Sequence, residues 1–464
     1  MHRRVLALLA PLIAASLCCY PQQAGTSAEV QFRADSKQVL VPVVVTDKKG
    51  HYVTGLKSAD FQIFEDGVEQ RITSFSSETI DSPLGPGGVV SNPRASEPAA
   101  KAAPGSPGPT SASGNSNTNS NGGAKRTYVI AFDTLHSSFA NFGHVRDALE
   151  AFFKREKPNA TAQFVLIGIG QQLRVIQPAT SDPSVILARI RGTSFLDVLR
   201  GVDSQAMAIE VNGLRIRMEQ YCRTCPCGPA AKSNQCYTER QGLRLEVNTL
   251  AERTSVMTRG FLQSLRALIA ELGEVPTGRS LILISDGFSL QPGAEFYGVA
   301  AAYLPNYADF RFSPPDQMEP FLIEILNSAV KKNISISAID SRGVNSPSFA
   351  QGNSSDASNA GAGASASRNR GGSFLTALDS NQRSIAFQNG SGMSQLAAAT
   401  GGVYFHESND ILKEFQTVVA DGREYYLISY SPANPAQDGK FRRIAVELRD
   451  KNLSQRAKEG YWAN

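Results

Sequence analysis

Two short apolar runs in this 464-residue chain each deliver an aspartate. Tyr128-Val129-Ile130-Ala131-Phe132 leads into Asp133-Thr134-Leu135-His136-Ser137-Ser138, and Leu281-Ile282-Leu283-Ile284 leads into Ser285-Asp286-Gly287. Carboxylates and hydroxyls gathered in one place are hard oxygen ligands, suited to Mg²⁺, Ca²⁺ or Mn²⁺ rather than to softer metals. The alternative use of each aspartate is to cap the helix that follows it. His136 beside Ser137 adds residue types that serve acid–base and nucleophilic chemistry. Sequence neighbours make a poor base–nucleophile pair, however, and His136 reads as a partly exposed loop residue. No G-x-S-x-G or H-E-x-x-H stands anywhere in the chain, and the other histidines are dispersed. An exported hydrolase is therefore the weaker reading.

For the two aspartates to meet, their strands must be neighbours. Apolar runs flanked by helical patterns read as central strands of a parallel sheet, buried on both faces. Ligands of such sheets sit beyond the carboxyl ends of the strands. From 126 to 421 strands and helices alternate. A helix over Phe139 to Glu156 precedes strands at Gln163–Ile169 and Leu173–Gln177, and Ser181-Asp182-Pro183 opens another helix. Two long helices follow within 205–272, then the strand ending at Ile284, a helix from Met318 to Lys332, and a strand reaching Asp340. Helices over Met393–Thr400 and from Asn409-Asp410 to Val419 enclose a short strand at Val403–Phe405. Repeated βα units predict an α/β fold with a doubly wound, mostly parallel sheet.

The flanks read differently. Residues 29–80 alternate as β-structure, with a turn at Asp47-Lys48-Lys49-Gly50 and a hairpin through Glu65-Asp66-Gly67 that returns along Val68 to Phe75. In 422–464, Tyr425–Tyr430 and Phe441–Leu448 read as a second hairpin. A lone hairpin is marginal in water. Pairing with residues 29–80 would make one small sandwich-like β-module, with 126–421 inserted into it. Residues 81–125 are a Pro/Gly/Ser/Asn-rich linker expected to be disordered, and 343–372 form a low-complexity insert.

Charge is nearly balanced, with 46 basic and 42 acidic residues. No basic stripe points to nucleic acid. Residues 1–28 read as a signal peptide: His2-Arg3-Arg4, then an apolar stretch from Val5 to Cys19 that is too short to span a bilayer comfortably. No second run approaches spanning length, so the expectation is an exported protein (secreted, periplasmic or envelope-associated) without a transmembrane helix in the mature chain. Cys222, Cys225, Cys227 and Cys236 then form a local set of four within a helical hairpin at 205–262. In an oxidising compartment such a set implies two disulfides of open connectivity, with a four-thiolate zinc site as the rival.

The Asp133–Ser138 and Leu281–Gly287 motifs together resemble a von Willebrand factor type A domain. The flanks VPVVVTDKKGHYVTGLKSADFQIFEDGVEQRITSF (41–75), REYYLISYSP (423–432), DGKFRRIAVEL (438–448) and AKEGYWAN (457–464) are similar to the secreted VWFA-related family best known from acidobacteria. That resemblance implies a divalent cation held by D-x-S-x-S, a threonine and a late aspartate, with an open position for a partner's carboxylate. Asp133, Ser137 and Asp286 match the pattern, and Thr258, or else Thr254, matches the threonine. Leu135 stands where the first serine belongs and removes an oxygen ligand. The implied function is a non-enzymatic, exported interaction or adhesion protein. It would bind a protein or peptide with an acidic residue at the sheet's carboxyl edge. A metal-independent envelope scaffold is the alternative.

Overall fold

The computed structural model describes residues 38–79, 126–158, 161–193, 195, 197, 204–225, 234–276, 278–304, 318–344 and 390–463. The expected signal segment and linker at 81–125, Cys227 and most of the 343–372 insert lie outside them. The valine-rich run at the start folds as β1 (Val39–Thr46), followed by β2 (Phe61–Glu65), β3 (Val68–Gln70) and β4 (Ile72–Thr79). Asp66 and Gly67 both take positive φ, 49° and 82°, the geometry of a two-residue hairpin turn. The strand does not return unbroken to Phe75. β3 pairs back on β2, and after Arg71 the chain leaves for another sheet as β4.

The central sheet comprises β5 (Arg126–Asp133), β6 (Ala162–Ile169), β7 (Leu173–Thr180), β8 (Gly278–Ser285), β9 (Ile334–Asp340) and β10 (Tyr404–Phe405). Their order is β10-β9-β8-β5-β6-β7. All neighbours are parallel except β6 and β7. The winding direction reverses between β5 and β8, so that is the topological switch point, where a crevice opens beyond the carboxyl ends.

Strand periodicity decides which helix each residue meets. Val129, Ala131, Leu281 and Leu283 face one core. Tyr128, Ile130, Phe132, Ile282 and Ile284 face the other. Helices α1 (Phe139–Arg155) and α2 (Pro183–Arg191) cover the second face. α3 (Ser204–Thr224) and α4 (Asn234–Glu274) form a long hairpin, and α5 (Ala294–Tyr303) packs beside it. α4, α6 (Glu319–Lys331) and α7 (390–400) cover the first face, and α8 (Ile411–Arg423) joins the second. Asp182 caps α2 by accepting from the Ser184 N–H at 2.9 Å, and Asp410 caps α8 through the Lys413 N–H at 3.0 Å. Among the described residues no helix is long and apolar enough to cross a membrane.

The last four strands are β11 (Glu424–Tyr430), β12 (Phe441–Leu448), β13 (Ser454–Ala457) and β14 (Gly460–Trp462). With the first four they make two antiparallel sheets, ordered β13-β1-β11-β4 and β14-β12-β2-β3. The expected 425–448 hairpin does not form. β11 pairs with β1 and β4, whereas β12 pairs with β2 and β14. Tyr426, Ile428 and Tyr430 of β11 and Ile444, Val446 and Leu448 of β12 instead face each other across one core. Two apolar faces bury more surface stacked than side by side, which is why the strands part.

Candidate functional site

Asp133 closes β5. Phe132 is in register with Ile284, which sets Asp133 beside Ser285, the last residue of β8. Ser285 is in turn level with Asp340, the end of β9. Three adjacent strands therefore bring Asp133, Ser285–Asp286 and Asp340–Ser341 to one edge at the switch point.

The Asp133 carboxylate is fully buried. Its Oδ1 accepts the backbone N–H groups of Leu135 and His136, each at 3.0 Å. Its Oδ2 accepts the Ser285 hydroxyl at 2.7 Å and faces His136 Nδ1 at 2.9 Å. A carboxylate only accepts, so Nδ1 carries the proton, and a neutral ring accepts at Nε2. Thr258 Oγ1 lies 3.1 Å from that nitrogen. Phe261 packs against the ring edge-on at 5.0 Å, with Phe288 at 6.1 Å.

His136 does lie in a turn and is partly exposed, as expected, but its ring is not free. Its side chain is 11% exposed and held at both nitrogens. Nor does it pair with Ser137. The tight turn closed on Asp133 Oδ1 directs the ring inward, toward α4.

Asp286 is held from the other side of the crevice. Oδ2 accepts the Ser138 N–H and the Asn141 side-chain amide, both at 2.8 Å, and Oδ1 accepts the Ser341 hydroxyl at 2.5 Å. Its own N–H donates to Ser137 Oγ at 3.0 Å. Asp286 therefore caps the start of α1 from across the sheet rather than capping a helix of its own. Burial raises its pKa above the ordinary carboxylate value, against the lowering effect of these donors.

Of the two threonines, Thr254 turns back to donate to the Leu250 carbonyl at 3.0 Å, so Thr258 is the one that reaches the site. It does so from within a continuous helix, because α4 passes directly over the β5 turn. Thr134 does not replace the missing serine; its hydroxyl donates to the Ile169 carbonyl at 3.1 Å.

Sequence reasoning gave Ser285, Asn141 and Ser341 no role at the site. Ser341 carried a usable signal, since it follows the third strand that ends in aspartate. The contacts of Ser285 and Asn141 depend on strand register and on the placement of α1, and had none.

The oxygens of this set are engaged within the protein. The oxygens of Asp133 and Asp286 already accept protein N–H and O–H groups, Ser137 Oγ accepts one, and the His136 ring bridges Asp133 and Thr258. Leu135 supplies no oxygen. The carboxylate–imidazole–hydroxyl order from Asp133 to Thr258 has the sequence of a nucleophilic relay. Thr258 is only 1% exposed, however, and offers a substrate no face.

Two further acids are held near this edge. Burial lifts Glu295, at the start of α5, to about 6, against the lowering effect of backbone hydrogen bonds from Glu295 and Gly293. Burial lifts Glu414, on α8, to about 7. Glu414 yields a pH prediction. Below its ordinary value of 4.5, folded and unfolded chains both keep the proton and its contribution to stability is full. That contribution is lost as pH rises through about 7, because the unfolded chain gives up its proton first. The free energy of unfolding should fall from pH 5 to pH 8, and fall less in Glu414→Gln, as read by urea titration at each pH.

Above the edge stands the α3–α4 hairpin. α4 runs antiparallel to the strands and meets the edge at Thr258, so its amino-terminal part projects past it, about 33 Å from Thr258 to Cys236. Cys225 and Cys236 form a disulfide with Cα atoms 5.6 Å apart. Cys222 is disulfide-bonded as well. Sulfurs held in disulfides are not thiolate ligands for zinc. Ile209, Ile216, Tyr237, Leu245 and Val256 of the hairpin are half of the ten large hydrophobic side chains exposed among the described residues.

No family model and no curated protein matches the chain. Among solved structures it is similar to an aerotolerance-related membrane protein from Bacteroides fragilis NCTC 9343, at 10% identity over 63% of this chain and 98% of that one, with a TM-score of 0.26. BatB from Bacteroides thetaiotaomicron, a conserved hypothetical protein, is similar at 10% identity over 64% and 98%, with a TM-score of 0.26. The PilB minor pilin from Streptococcus sanguinis is similar at 11% identity over 57% and 62%, with a TM-score of 0.24. At these scores the likenesses settle neither fold nor function. What stands on its own is a mixed α/β fold, with a mostly parallel six-stranded sheet and antiparallel sheets beside it.

Proposed function

We propose that this chain is an exported, non-enzymatic interaction protein of the von Willebrand type A kind, and that it docks a protein partner at the carboxyl edge of the central sheet without a divalent cation. The observation that carries the metal-free reading is the His136 ring seated between Asp133 and Thr258. Any ion entering there would have to displace a doubly anchored side chain and strip donors from both aspartates. The projecting hairpin supports the partner reading, since it sets exposed apolar side chains beside the edge. The disulfides and the amino-terminal signal pattern support export.

The test is calorimetric titration of Mg²⁺, Ca²⁺ and Mn²⁺ into chelator-stripped mature chain, with Asp133→Asn as control. The expected outcome is no saturable heat up to millimolar ion. Saturable heat that disappears in the control would return the cation to the site and overturn this reading. In parallel, crosslinking on intact producing cells should yield a partner that survives chelator and is lost in the Ile209→Glu, Leu245→Glu double variant. A partner released by chelator would contradict the proposal.

A further inference from the structure

At the opposite ends of the same strands, the β-sandwich and the central sheet enclose a cavity of about 310 Å³, a size that accommodates a small organic molecule. One wall is the outer face of the sheet that holds β1 and β11. Val41, Val43, Tyr426 and Ile428 point into the sandwich core. The period of two therefore turns Leu40, Pro42, Val44, Tyr425 and Leu427 the other way, where they line the cavity. An outer sheet face open to water would alternate to polar residues; this one is apolar because it is a wall. The facing wall is made by the amino ends of β5, β8 and β9.

Charge on this cavity is unbalanced. Arg126, Arg279 and Lys458 line it, with Asp421 as the only carboxylate among the lining residues. Asp421 already accepts the Tyr52 hydroxyl at 2.7 Å and an Arg456 N–H at 2.6 Å. Arg279 donates to the Val275 and Lys332 carbonyls, both at 2.6 Å. Arg126 donates one N–H to Ser280 Oγ at 3.1 Å and lies 4.9 Å from the centre of the Tyr425 ring, while its buried Nε has no acceptor. Lys458, in the link between β13 and β14, is 5% exposed. Among the described residues no carboxylate pairs with its ammonium, and burial alone lowers its pKa, to about 8. A buried cation without a counter-charge is costly, and an anionic ligand would relieve that cost.

We infer that this cavity binds a small organic carboxylate with an apolar body, its head group drawn to Lys458 and Arg126 and its body lying along Leu40, Pro42 and Leu427. The apolar wall argues for a carbon chain over a bare inorganic anion, which would leave that wall without a partner. This site is separate from the carboxyl edge and stands whether or not the partner reading holds.

Octanoate, acetate and inorganic phosphate titrated by calorimetry into the full mature chain test it. Octanoate should saturate and bind at least tenfold more tightly than acetate, and phosphate should not saturate at millimolar concentration. Lys458→Met should weaken octanoate at least tenfold while raising the melting temperature of the ligand-free chain. Leu427→Trp, which fills the cavity and leaves both cations in place, should weaken it as much, and it decides the matter even where Lys458→Met fails to fold. No saturation with octanoate, equal affinity for octanoate and acetate, or unchanged affinity in Leu427→Trp overturns the proposal.

Discussion

Asp133→Ala should lower the free energy of unfolding by about 3–5 kcal/mol, because it orphans several buried donors at once. Two backbone N–H groups, the Ser285 hydroxyl and His136 Nδ1 all converge on this one carboxylate. Each orphaned donor costs about 1–3 kcal/mol where water cannot reach it, although the sum is blunted by relaxation of the turn. Asp133→Asn keeps one acceptor oxygen and should cost less than the alanine variant. Urea unfolding monitored by circular dichroism measures both. The result separates two uses of the residue. A carboxylate reserved for an external cation would leave stability within about 0.5 kcal/mol of wild type when removed, as an uncommitted surface position does. A loss that small would mean the internal network is not what holds the edge together.

Glu65→Ala should be comparably severe, again about 3–5 kcal/mol, at the other end of the molecule. Glu65 is 3% exposed and accepts the Tyr430 hydroxyl at 2.6 Å and the Tyr461 hydroxyl at 2.9 Å. Burial, followed by hydrogen bonding to Glu65, raises both phenols above their ordinary pKa. The three residues belong to β2, β11 and β14, so this one carboxyl joins both sheets of the sandwich and both ends of the chain. Removing it strands two phenols inside an apolar core. Replacing the phenols as well, in a Glu65→Leu, Tyr430→Phe, Tyr461→Phe triple variant, removes the stranded donors and should restore much of the loss. Urea titration of wild type, Glu65→Ala and the triple variant decides it. A triple variant no more stable than Glu65→Ala would show that packing, not hydrogen bonding, dominates there.

Both predictions concern residues whose importance was unevenly legible. The aspartates at 133 and 286 stood out because short apolar runs end at them, and run length with flanking helical pattern is a local property of the chain. The α/β character, the β-pattern of β1, the apolar runs of β5 and β8, and the caps at Asp182 and Asp410 were legible for the same reason. Each depends on neighbours within a few residues. Glu65 was read only as part of a turn, since its partners lie 365 and 396 residues away.

The sequence by itself indicated most of the segments that form strands and helices, though not α5, β13 or β14, and that Leu135 contributes no oxygen beside Asp133. Only the tertiary structure decided what those elements do to one another. It parted Tyr425–Tyr430 from Phe441–Leu448 into facing sheets, because apolar faces gain more by stacking than by pairing edge to edge. It also laid α4 across the β5 turn, so that Thr258, deep within a helix, meets His136. That ring occupies the space between Asp133 and Thr258 because the turn closed by Asp133 points it inward, onto Phe261. Local pattern carries no information about which distant atoms will fill a crevice, and at this edge the filling of the crevice decides the chemistry.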